Sequence, residues 1–134
     1  MKSYKLISIL PALCASIIDI AITVFHQPKA YWQGNLQFAN EGNPIGKIFM
    51  QNHVMGLFII SALWLVIIAL LGFYLPKLYA KVFLLFCVIA HSFGASTWLS
   101  YQHSFWLAML LIAFNSYVYI VCNKDFKLNV SKGN

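Results

Sequence analysis

Four apolar runs decide what this chain can become. They cover residues 6–25, 54–75, 82–99 and 105–122. A bilayer core about 30 Å thick takes about 20 helical residues, and each run is close to that length. Hydrophobic residues make up 61% of the chain and charged residues 9%, against roughly 45–50% and about 25% in soluble domains. So few charges cannot cover a soluble fold of 134 residues, and lipid is the expected solvent. The expected fold class is all-α: an integral membrane four-helix bundle, built as a single transmembrane domain over residues 1–134.

The boundaries follow from local chemistry. Lys2 and Lys5 precede the first run, as in a signal peptide, but the run continues past any small-residue cleavage site and reads as a span. Pro11 is expected to kink it. Before the second span, Asn43 suits a helix N-cap and Pro44 the first helical position. Residues 44–53 are then expected to be the first turns of one long, tilted helix ending at Pro76. Five residues separate the third and fourth runs, so those spans are antiparallel neighbours. The polar tail from Asn123 to Asn134 is expected to fray.

Lysine sets the expected orientation. Lys2, Lys5, Lys77, Lys81, Lys124, Lys127 and Lys132 fall on one side of the spans, Lys29 and Lys47 on the other. That bias puts both termini in the cytoplasm and the loop of residues 26–43, extending to 53, in the periplasm. Interfacial aromatics agree: Tyr31, Trp32, Trp98, Tyr101 and Trp106 near one surface, Tyr4, Tyr74, Tyr79 and Tyr119 near the other. The net charge of +6 is all lysine, without the arginine that reads phosphates and bases, so no nucleic-acid partner is expected. Cys14, Cys87 and Cys122 form no CxxC and read as packed free thiols.

Threading then gathers the polar residues. Asp19, His26, Glu41, His53, His91, His103 and Asn115 all fall in the periplasmic half or near mid-depth. Asp19, Thr23 and His26 share a helix face with Ala12, Ala15 and Ser16. His91 shares one with Cys87, Gly94, Ala95 and Trp98, where small residues admit a close neighbour or a ligand. An Asp at mid-membrane costs about 2.5–3.5 kcal/mol, so Asp19 needs a proton, a donor or a metal.

Several readings fit this constellation. Asp19, His53, His91 and Glu41 are expected to bind a divalent metal such as zinc or iron, or a small polar ligand, in a polar pocket facing the periplasm, with Thr23, His26 and Asn115 in support. An open metal position would make Glu41 a general base for hydrolysis. His53 and His91 are candidate axial ligands for haem. Asp19, His91 and Asn115 could instead line a transport or proton-relay path. The plainest reading is that these groups satisfy one another, with Asp19 bonded to Thr23 or a histidine to lock the helices. The chain would then be a structural, accessory or immunity-type module, packing on a larger membrane protein or on itself. In that reading His103 is a solvated turn residue and Asn115 an interhelical bonder.

Asp19 with Thr23, Gln27-Pro28 with Tyr31-Trp32, Glu41-Gly42-Asn43-Pro44, His53, and His91 before Gly94 and Trp98 make a pattern over residues 15–100. It resembles a loose group of small uncharacterised bacterial inner-membrane proteins with four spans. The resemblance implies a bacterial inner-membrane home and points to the same polar residues, but it implies no reaction.

Overall fold

The computed structural model describes residues 2–123. The tail lysines Lys124, Lys127 and Lys132, and the side chains of Lys2 and Tyr4, lie outside the described residues. The chain is all-helical there, with no strand. Its helices are α1 (Lys2–His26), α2 (Lys29–Trp32), α3 (Pro44–Asn52), α4 (Gly56–Tyr74), α5 (Lys77–Gln102) and α6 (Phe105–Cys122), with one 3-10 turn at Leu36–Phe38. Four of them, α1, α4, α5 and α6, are long and apolar enough to cross a membrane. Large apolar side chains such as Leu63, Phe86, Leu110 and Phe114 are exposed along them.

Consecutive long helices are antiparallel. Lys5, near the start of α1, donates through Nζ to the Phe73 carbonyl at the end of α4, at 2.9 Å. His26, at the end of α1, meets His103 just past the end of α5. Helices α1 and α5 share the most extensive interface. Among the described residues the backbones of α4 and α6 do not approach each other, so they flank the α1–α5 pair from opposite sides. Small side chains permit the close central contact: Ala12, Ala15 and Ser16 on α1, and Cys87 and Ala95 on α5, are fully or almost fully buried. Lipid provides little drive to separate apolar helices from itself, so close packing of small residues matters more here than burial area. At the lysine end Ile9, Ala12, Ile68, Leu84, Cys87 and Val88 pack into one cluster.

The expected long second helix is two helices. Asn43 does cap α3, its side chain accepting from the Ile45 N–H at 3.0 Å, with Pro44 in the first position. However, α3 stops at Asn52, because His53 adopts an extended conformation (φ −160°, ψ 146°). The chain turns through Val54 and Met55 and restarts at Gly56. Gly56 lies directly on the last turn of α3: a Cβ there would sit 1.9 Å from the Phe49 carbonyl oxygen. The bend is thus built on a contact that no side chain permits. Span three is also longer than its apolar run, because Pro76 starts a helix that reaches Gln102. At Pro11, α1 continues without a break.

The loop after α1 is tied down by amide chemistry. The Gln27 side chain grips Asn40 from both sides, donating to its carbonyl at 2.6 Å and accepting from its N–H at 2.9 Å. Tyr31 is fully buried and donates to the Val54 carbonyl at 2.7 Å. Tyr31, Ala39, Met50 and Leu57 form a second small core beneath the loop. These ties carry Glu41 back over the bundle.

Candidate functional site

Three helices are joined at one level by a chain of polar side chains. Trp64 of α4 donates through Nε1 to His91 Nε2 at 2.7 Å. His91 Nδ1 lies 2.8 Å from Asp19 Oδ2. An indole nitrogen only donates, so His91 Nε2 accepts and Nδ1 carries the hydrogen that goes to Asp19. His91 is therefore held as the Nδ1–H tautomer, accepting from Trp64 and donating to Asp19. Both side chains are mostly buried, 16% exposed for His91 and 18% for Asp19. Gly94 allows this approach: a Cβ there would lie 3.1 Å from both Asp19 carboxylate oxygens. A larger residue would push α1 away from α5 at the acid itself.

The chain forms the floor of a cleft of about 640 Å³ between α1, α4 and α5, roofed by the start of α3 and the residues before it. Ile20, Leu57, Ile60 and Phe86 give it apolar walls, and Trp64 and Trp98 line it. Phe93 and Ile45 at its margin are 69% and 59% exposed, so the cleft opens sideways at the bundle surface. Glu41 lines the cleft as well. Its Oε1 accepts from the Asn43 N–H at 2.7 Å. Burial pushes the Glu41 carboxyl above the ordinary carboxylate range; the Asn43 N–H pulls it back, and the negative charge of Asp19 adds to the rise. No lysine lines the cleft, and among the described residues neither carboxylate is paired with one. The cleft thus holds two acids and no cation.

The sign of the pH dependence follows. The folded chain keeps a proton on Glu41 at pH values where the unfolded chain has already released it. Stability contributed this way is present at low pH and lost as pH rises from the ordinary carboxylate value through the raised one. Denaturation of wild type and Glu41→Gln compared across about pH 4–7 is expected to show the downward slope in wild type and a flatter one in the variant.

The sequence-derived candidates separate into three places. Asp19, Thr23, Glu41 and His91 do line one cleft. His53 does not: it is exposed at the end of α3, and its Nδ1 accepts from the Met55 N–H at 3.0 Å. Its extended backbone at the bend turns it to that local task. His26 pairs with His103 at the loop end of the bundle, so His103 is not merely a solvated turn residue. Asn115 is buried on the other side of α5 and donates to Ser92 Oγ at 2.9 Å, which makes it an interhelical bonder.

The metal ligand set expected from the sequence is therefore not assembled. Among the described residues, no three of His, Cys, Asp and Glu come close enough to share an ion. His91 is a poor donor to zinc, iron or haem, since Trp64 occupies one nitrogen and Asp19 the other. The residue that sequence reasoning missed is Trp64. Its signal was present: an indole N–H halfway along an apolar run needs an acceptor, and lipid has none.

No protein-family model matches the chain, and neither a curated protein nor a solved structure matches it.

Proposed function

We propose that this is a multi-pass protein of the bacterial inner membrane, with both termini cytoplasmic, whose cleft binds a small amphiphile with a positively charged, hydrogen-bond-donating head. The observation that carries this reading is the charge imbalance: Asp19 and Glu41 line one cleft that has no lysine. An organic ammonium head would lie between the two acids and donate to both. Its apolar body would extend along Ile60, Phe86 and Phe93 towards the opening. Trp64 and Trp98 offer ring faces that favour a cation. The sideways opening suits a ligand that arrives through the lipid. In this reading His91 is a positioning residue that fixes the Asp19 carboxylate, and no covalent step is involved.

A fluorescence titration tests this, because Trp64 and Trp98 report on the cleft. In detergent-purified protein, alkylammonium ions are expected to change Trp emission saturably, and primary alcohols of equal chain length are not. Glu41→Gln is expected to weaken ammonium binding by about tenfold or more, the scale of one hydrogen bond to a charged partner. Equal responses to ammonium and alcohol would refute a cation site.

The second reading is a brace with no ligand of its own, in an accessory or self-associating module. It is favoured by the complete pairing of His91, which leaves that ring nothing further to bind. Under it, neither amphiphile class binds saturably and the polar chain affects stability alone.

A further inference from the structure

Two imidazoles meet at the loop end of the bundle, apart from the cleft floor. His26 is the last residue of α1, and His103 follows the last residue of α5. Their Nε2 atoms are 3.2 Å apart. His26 Nδ1 lies 2.7 Å from the Ile22 carbonyl oxygen. A carbonyl only accepts, so Nδ1 carries the hydrogen, and the Nε2 lone pair is left aimed at His103. Metal-binding histidines are held in this manner, with the far ring nitrogen donating to a backbone carbonyl.

The spacing suits a shared ion. Imidazole nitrogens lie about 2.0–2.1 Å from zinc, so two of them at this separation subtend roughly 100° at the metal, close to the tetrahedral angle. The Trp98 ring, 5.7 Å from the His26 ring, limits the swing of that side chain. His103 is exposed on the turn before α6, so its ring has room to adjust. The C-terminal end of the α1 dipole adds a partial negative charge beside His26.

We infer that His26 and His103 form a two-imidazole site for a borderline divalent ion such as zinc or copper(II), with water completing the coordination. With two protein ligands, the ion exchanges and is not a fixed part of the fold. Bound there, it staples the end of α1 to the α5–α6 turn beside Trp98, which also lines the cleft. Without the ion, the His103 Nε2–H donates to His26 Nε2 and the same pair is a simple hydrogen bond. This inference does not depend on what occupies the cleft.

The test uses the full chain, purified in detergent at about pH 7.5 with any affinity tag removed, and copper(II) followed by electron paramagnetic resonance. The expected result is saturable, exchangeable binding of one copper per chain with hyperfine structure from two imidazole nitrogens. His26→Ala and His103→Ala should each weaken binding by at least about tenfold, and the double variant should be no worse than either, because either change breaks the chelate. His53→Ala should bind as wild type does. Unchanged helicity of His103→Ala, an exposed position, excludes unfolding as the cause. Copper binding that persists in His103→Ala with its two-nitrogen signal, or the absence of such a signal in wild type, would overturn the assignment.

Discussion

His91→Ala is expected to destabilise the bundle by roughly 2–3 kcal/mol, below the full penalty for a stranded buried charge but above typical couplings between membrane helices. The ring links α5 to α1 through Asp19 and to α4 through Trp64. Its loss leaves the Asp19 carboxylate and the Trp64 N–H without those partners in a mostly apolar region. Trp64→Phe removes one neutral bond and should cost about 1 kcal/mol. Asp19→Asn keeps an acceptor for the His91 N–H and should cost less than His91→Ala. A double-mutant cycle on Asp19→Ala and His91→Ala, read by denaturant titration in mild detergent, isolates the pair. A coupling of about 1 kcal/mol or more is expected. A coupling near zero would mean that the two side chains do not depend on each other.

The second large effect belongs to Gly56. Gly56→Ala is expected to cost about 3 kcal/mol, at the upper end of overpacking penalties, because the added Cβ meets backbone that cannot step aside. The clash is with the Phe49 carbonyl, 1.9 Å to oxygen and 2.4 Å to carbon. Gly42→Ala is the control: a Cβ there has no neighbour within 4 Å, so a change below about 0.5 kcal/mol is expected. Because α3 forms part of the cleft roof, Gly56→Ala should also weaken any ligand bound there. Equal stability of the two variants would rule out the bend between α3 and α4 as described.

Much of this was legible in the sequence. The long apolar runs and their flanking lysines gave the four helices, and turn chemistry gave the start of α3 at Asn43-Pro44 and the end of α4 before Pro76, whereas α5 starts at Lys77, ahead of the expected span. The Asp19, Thr23 and His91 faces were also legible, because helical spacing fixes which residues share a side. The break at His53 was not. No proline or turn dipeptide marks it: Gln51, Asn52 and His53 are polar but compatible with the outer turn of a helix, and the role of Gly56 depends on a backbone contact across the bend. The pairing of distant residues was equally hidden. Depth along a helix placed Asn115 level with His91, but rotation about the helix axis sends Asn115 to Ser92 on the far side of α5. Trp64 escaped notice because an indole in an apolar run reads as bulk, although its N–H required an acceptor.

The brace and the cleft belong to one arrangement. Asp19 accepts from His91, and its negative charge helps raise the Glu41 carboxyl on the roof. An incoming cation would relieve the repulsion between the two acids. Glu41→Gln is therefore expected to raise stability slightly at neutral pH while it weakens binding, a trade-off common at functional sites.

The most direct measurement is photo-crosslinking with an alkylammonium ion that carries a diazirine at its tail, followed by peptide mapping. The account predicts adducts on Ile60, Phe86 and Phe93, and their loss when Glu41→Gln and Asp19→Asn are combined. Adducts spread over the outer face of α6, or an unchanged pattern in the double variant, would contradict it.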